Sequence, residues 1–264
     1  MDPVTEMYIS QALHGLAYGM LLFLVASGLT LIFGMMDVLN IAHAAFFMLS
    51  AYACYQVVQW TGSYWLSLLL APLFVAGLGY LVERFLLRRV KATGLGHIGQ
   101  LLLTLGLALI IAEAVKLFWS DEPHQVVVPL ALKGLVKFAG MTYPVYRLFV
   151  IGLSLVILGV MAGMLYLTRL GKIVRAAVTD ADMVSALGIN MPLVFSLIFA
   201  VGTWMAGVAG VAAAPLLTVF PGLADQIGLD AFVVVVVGGF GSLTGALVVS
   251  LLLGELNAYG IQFI

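Results

Sequence analysis

Long apolar runs separated by short polar breaks set the rhythm of this chain. The first runs from about Ile9 to Phe33 and stops at Gly34, with Asp37 and Asn40 marking a polar break. Others cover about Ile41–Val58, Leu66–Val82, Ile98–Trp119, Tyr146–Thr168 and Pro192–Leu217. A last stretch, about Leu229–Leu253 and beyond, is interrupted by Gly238, Gly239 and Gly241 and reads as two helices or one broken one. Most of these runs reach the roughly 18 residues of a membrane span. Backbone groups in hydrocarbon must pair within their own segment, so each run is predicted to be a helix. The pattern predicts an all-α, polytopic membrane bundle of about eight transmembrane helices, with residues 1–264 forming one transmembrane domain. The chain stops at Ile264 while still apolar, which predicts one more span beyond it.

Composition agrees. Hydrophobic residues make up 64% and charged residues 9% of the chain, where a soluble domain carries about 25% charged. Mean hydropathy is +1.19. A net charge of −1 offers nothing to nucleic acid. Cys54 has no cysteine partner and is predicted to be a small packed residue. Trp60, Tyr64 and Trp65 suit an interfacial belt, and Pro192 suits a first helical turn. The loops Arg84–Lys91 and Arg169–Arg175 hold seven basic residues and fall on one side if the spans alternate. The positive-inside rule then places them in the cytoplasm, and the N-terminus and the polar excursion Ser120–Tyr143 outside.

Several motif matches fail on context. Gly94-Leu95-Gly96-His97-Ile98-Gly99 has dinucleotide-binding spacing, but it follows a basic loop and opens a span instead of joining strand to helix. It reads as a turn. No Gly-x-x-x-x-Gly-Lys-Ser/Thr loop occurs, so any ATP-driven work needs another subunit to bind the nucleotide. Gly239-Phe240-Gly241-Ser242 has serine where a membrane aspartyl protease needs aspartate, and Val25-Ala26-Ser27-Gly28 lacks the first glycine of a rhomboid-type site. His14, His43, His97 and His124 lack metal-ligand spacing. The chain is predicted to be non-catalytic.

Two stretches carry candidate chemistry. Asp37, Asn40 and His43 recur every three residues and would share a face if helical. Polar groups at membrane depth line pathways or bond between helices; alternatively, Asp37 and Asn40 cap a helix and His43 makes one interhelical bond, and the two readings are compatible. In the loop 169–191, Thr179 and Asp182 fit a loose capping box around Asp180, Val184 and Leu187 form a short apolar stripe, and Gly188 suits the C′ position. A two-turn helix results, which needs a partner surface or its own bundle to be stable. Glu113 and Lys116, three apart, are predicted to pair or to snorkel separately. Gly34–Tyr52 and Gly241–Tyr259, equal in length and both ending Ala-Tyr, form a faint internal repeat.

Gly28-Leu29-Thr30-Leu31-Ile32-Phe33-Gly34, followed by Leu39-Asn40-Ile41-Ala42-His43-Ala44-Ala45 through Tyr52, resembles the permeases of bacterial branched-chain amino acid ABC importers, the H-type above all. Arg175-Ala176-Ala177 through Asn190 resembles their cytoplasmic coupling loop, and Gly238 through Ala246 resembles their late glycine-rich break. Ala44 and Ser50 depart from the glycines usual at those places, which would tighten helix contacts. The resemblance implies a pathway or polar helix contacts built from Asp37, Asn40, His43, Ser242 and Thr244. It also implies ATPase coupling through Thr179, Asp180, Asp182, Val184, Leu187 and Gly188. The implied complex has a second permease, two cytoplasmic P-loop ATPases that hold ATP and Mg, and a periplasmic solute-binding protein. This chain would bind no cofactor and would sit in the bacterial inner membrane. A stand-alone secondary transporter or channel for a small polar solute is the alternative; it predicts ion-coupling charges inside the spans, and the sequence offers few.

Overall fold

In a computed structural model of the protein, residues 3–138 and 141–263 are described. The chain begins with α1 (Pro3–Met36), α2 (His43–Thr61) and α3 (Tyr64–Val82). A π turn (Glu83–Leu87) carries α3 directly into α4 (Arg88–Ala92). After α5 (Gly96–Trp119) the long excursion contains a 3-10 turn at Leu130–Leu132 and an antiparallel hairpin, β1 (Leu135–Phe138) and β2 (Met141–Pro144). The remaining helices are α6 (Val145–Leu167), α7 (Arg169–Thr179), α8 (Ala181–Ala186), α9 (Met191–Ala213), α10 (Leu223–Gly238) and α11 (Leu243–Phe263).

Six helical stretches among the described residues are long and apolar enough to cross a membrane: Thr5–Met36, Tyr64–Ala92, Gly96–Trp119, Val145–Leu167, Met191–Ala213 and Leu243–Gln262. With α2 and α10 they make the eight predicted from the sequence. α2 is less apolar because it carries His43, Gln56 and Gln59, and α10 is only 16 residues long. His43 is buried within the bundle, while α10 packs Leu223, Ile227, Ala231, Val234 and Val235 inward and leaves its other side exposed. α10 starts at Leu223, so the turn expected over Pro221–Ile227 is mostly helical.

The core is α1, α2 and α9, with α3 packed on α9 and α11 packed antiparallel along α1. α1 and α9 are mostly buried; α5 and α11 keep much of their apolar surface exposed. Glycines set the closest contacts, as in helix pairs that lack a hydrophobic drive to associate in lipid. A side chain at Gly19 would come within 2.8 Å of the Ser250 carbonyl, and one at Gly34 within 2.7 Å of the Gly241 Cα. Ser50 donates to the Gly207 carbonyl at 2.8 Å, and the methyl of Ala44 lies against Gly228. Both departures from the family glycines therefore sit at tight helix contacts. Cys54 is buried beside Ser67.

One end of the bundle is basic. There Lys91 Nζ donates to the Met36 carbonyl at 3.0 Å, and Arg88 donates to Glu83, the Pro192 carbonyl and Ser196. Both basic loops lie at this end. At the opposite end Tyr64, although expected in an interfacial belt, is buried and shares a hydrogen bond with Tyr146 at 2.8 Å; Trp60 and Trp65 are exposed. Tyr143 of the hairpin donates to the Leu13 carbonyl, and burial holds its phenol above the usual tyrosine range, so it remains a donor.

Candidate functional site: a cleft entered by unwound backbone

His43 opens α2 deep inside the bundle. Its Nε2 donates to the carbonyl of Val25 at 3.0 Å. Val25 lies eleven residues before the end of α1 at Met36, about 16 Å along the helix axis. Residues 37–42 therefore run back into the bundle as non-helical chain. Irregular backbone at membrane depth survives only when protein or a cavity receives its polar groups. Thr104 of α5 does so from both sides: its hydroxyl accepts from Ile41 N and donates to the Leu39 carbonyl, each at 3.3 Å. Gly28 makes room for the imidazole, since a side chain there would meet the ring at 3.1 Å.

This geometry corrects the expected helical face. Asp37 terminates α1 with φ +51° and points outward at the basic end, where its carboxylate lies 3.4 Å from His97 Nε2. Asn40 lies in unwound chain. Neither caps α2, whose first turn has no side-chain cap. The reason is register: α1 continues past Gly34 to Met36, which shifts the break to 37–42. For the same reason the repeat Gly34–Tyr52 and Gly241–Tyr259 is not one of structure, because Gly34 is helical and Gly241 sits in a turn with φ +80°. The two glycines instead pack against each other.

Asn40 and His43 border a cleft of about 930 Å³ between α2, α5 and α10. Asn40 is 2% exposed, and among the described residues neither its amide nitrogen nor its oxygen has a partner; Nδ1 of His43 is likewise unpaired. A buried polar group without a partner costs about 1–3 kcal/mol. Leu29, Leu105, Ala108, Leu109 and Phe232 give the cleft apolar walls. Its outer end, away from the basic end, is bordered by Lys116, Glu113, Asp121 and Asp225, one cation against three carboxylates. Lys116 and Glu113 do pair, at 2.8 Å. Thr104 was missed by sequence reasoning; a lone threonine in an apolar run gives no signal of the backbone it serves.

Ser242 and Thr244 are not in this cleft. They open α11 at the basic end, where Ser242 Oγ accepts from Gly245 N at 3.1 Å, and they line a second cleft of about 540 Å³. Gly239 and Gly241, both left-handed, make the break between α10 and α11.

The loop 169–191 also differs from expectation. α7 is an eleven-residue amphipathic helix capped by Thr168 and burying Gly171, Val174 and Ala177. α8 has six residues and not two full turns. Its cap is Asp180, which accepts from Met183 N at 2.9 Å; Thr179 closes α7 instead, and Asp182 stands in the first turn of α8. Val184 is buried against the bundle while Leu187 is 75% exposed, so the two do not form one stripe. Positions three apart on a helix lie about 60° apart around its axis, and the packed side of this short helix ends at Val184. Gly188, with φ +85°, takes the C′ position as read. Leu187 and Met183 are the apolar side chains that α8 presents outward.

A polytopic helix bundle entered by a polar-ended, apolar-walled cleft has the build of a membrane transport protein. The chain belongs to the family described as branched-chain amino acid transport system permease component, whose model matches residues 11–264. It is 27% identical to the high-affinity branched-chain amino acid transport system permease protein BraD of Pseudomonas aeruginosa, over 96% of this chain and 86% of that protein. It is equally similar, at 27%, to the permease proteins LivH of Salmonella typhimurium and Escherichia coli K12, over 95% of this chain and 85% of each. No solved structure matches the chain.

Proposed function

We propose that this chain is one of two permease subunits in an ATP-driven importer that moves branched-chain or related amino acids into the cytoplasm. The observation that carries the reading is the cleft: an unpaired, buried Asn40 amide at its inner end, aliphatic walls, and a charged mouth. An amide with donor and acceptor both free suits a zwitterion or its hydration shell. The walls suit an aliphatic side chain. α5, which forms one wall, is largely exposed on its far side, leaving surface for a second permease.

The chain has no P-loop, so hydrolysis falls to two partner ATPases holding ATP and Mg. They would dock at the basic end, which the positive-inside rule makes cytoplasmic. Leu187 and Met183 of α8 offer them an apolar contact; Asp180 and Gly188 fix its cap and its stop, while Val184 ties it to the bundle. A solute-binding protein would deliver the amino acid to the opposite, periplasmic end. The pushed loop transmits work only if its contacts differ between the outward and inward states.

Asn40→Leu separates the roles of the cleft. A purely structural Asn40 would be neutral or stabilising when replaced, because its amide has no partner to lose. In proteoliposomes carrying the full complex, the variant is expected to assemble normally and to lose at least tenfold in leucine uptake. Wild-type uptake by a correctly assembled variant would remove Asn40 from the pathway.

A further inference from the structure

The second cleft, at the basic end, is chemically unlike the first. Arg175 of α7 borders it and, among the described residues, no carboxylate does. Ser242, which caps α11, and Leu243 and Thr244, the first residues of that 21-residue helix, form another wall. The leading amides of a helix have no carbonyl one turn back and carry the positive end of its dipole. Thr30 supplies an independent observation. It is 1% exposed, borders the same cleft, and its hydroxyl has no hydrogen-bond partner among the described residues. A threonine inside a helix ordinarily bonds the carbonyl one turn back; this one does not. Leu31, Met35, Leu165 and Val174 line the rest with hydrocarbon. A cation, a helix start and two kinds of hydroxyl on one side, with aliphatic walls on the other, match a small molecule with an oxyanion head and an apolar body.

We propose that this cleft is a carboxylate-binding site, which takes up the carboxylate of an aliphatic amino acid at the basic end of the bundle. This rests on the functional reading above for the identity of the solute, though not for the anion chemistry. Arg175 donates to the Leu165 carbonyl and lies over the Tyr166 ring, 5.3 Å from its centroid. A bound carboxylate would therefore join α7 to the start of α11 across α1. The site lies next to the loop that we assign to coupling, so its occupancy would report solute on the release side directly to α7.

The test uses the full-length chain in lipid nanodiscs, with acetate, L-leucine, leucinamide and inorganic phosphate as probes followed by ligand-observed NMR. Acetate is expected to bind and to be displaced by leucine but not by leucinamide, which lacks the carboxylate. Thr30→Val, which removes a hydroxyl with no structural partner, is expected to keep the wild-type melting temperature and to weaken acetate about tenfold, the loss of one hydrogen bond to a charged group. Arg175→Gln is expected to weaken it at least as much. Absence of acetate binding, or equal binding by Thr30→Val, overturns the site. Phosphate that binds and displaces acetate while leucine does not would mark a lipid-headgroup site and overturn the solute assignment. Uptake by the full complex is scored separately: an importer that carries no aliphatic amino acid sinks the functional reading, while the acetate titration still decides the anion site.

Discussion

Thr104 shows how one hydroxyl sustains an irregular path through a membrane protein. It serves Ile41 N and the Leu39 carbonyl at once, so these two backbone groups of the unwound residues 37–42 are paired where no helix can pair them. Thr104→Val leaves a donor and an acceptor without that partner and is expected to cost about 1–3 kcal/mol. A lower melting temperature in detergent, restored by Thr104→Ser, checks this; an unchanged one would mean that water serves those groups instead. His43 and Asn40 were legible in the sequence as polar residues at a span's start. Their placement was not, because a three-residue spacing reads as a helical face only if the segment is helical, and Asp37 at φ +51° ends the helix first.

At the scale of elements, the loop between α6 and α9 divides its work. Val184 anchors α8 to the bundle and Leu187 faces outward. Val184→Asp puts a carboxylate into a packed contact, which is unfavourable without a partner, and is expected to reduce the amount of folded protein in the membrane. Leu187→Asp is expected to leave that amount unchanged and to uncouple ATP hydrolysis from uptake in the assembled complex. Equal coupling in wild type and Leu187→Asp would remove α8 from the contact with the ATPases. The existence of a short capped helix was legible from Asp180 through Gly188, but the choice of cap was not. Thr179 and Asp180 are both good caps, and α7, whose amphipathic stripe the sequence reading passed over, claims Thr179 for its own last turn.

For the whole molecule, the pairing of ends is fixed by contacts such as Lys91 with Met36 and Tyr64 with Tyr146. The proposed direction across the membrane, with the basic end in the cytoplasm, rests on charge. On a Cys54→Ser background, Trp60→Cys is expected to react with a membrane-impermeant maleimide in intact cells, and Arg169→Cys only after the membrane is opened. The reverse pattern would invert the topology and exchange the roles of the two clefts.

The sequence by itself determined that this chain lies in lipid, that its long runs are helices, that the α10–α11 break falls at the glycines, and which family it belongs to. Those properties depend on local composition and on the requirement that backbone groups pair within a segment. The tertiary structure alone decided that α2 starts deep in the bundle, that Asn40 and His43 share a cleft while Ser242 and Thr244 share another, and that Gly34 packs on Gly241 instead of breaking its own helix. Each of these depends on which distant residue supplies a hydrogen bond or leaves a space, and apolar periodicity is the same whether a helix face meets lipid, a neighbour or a cavity.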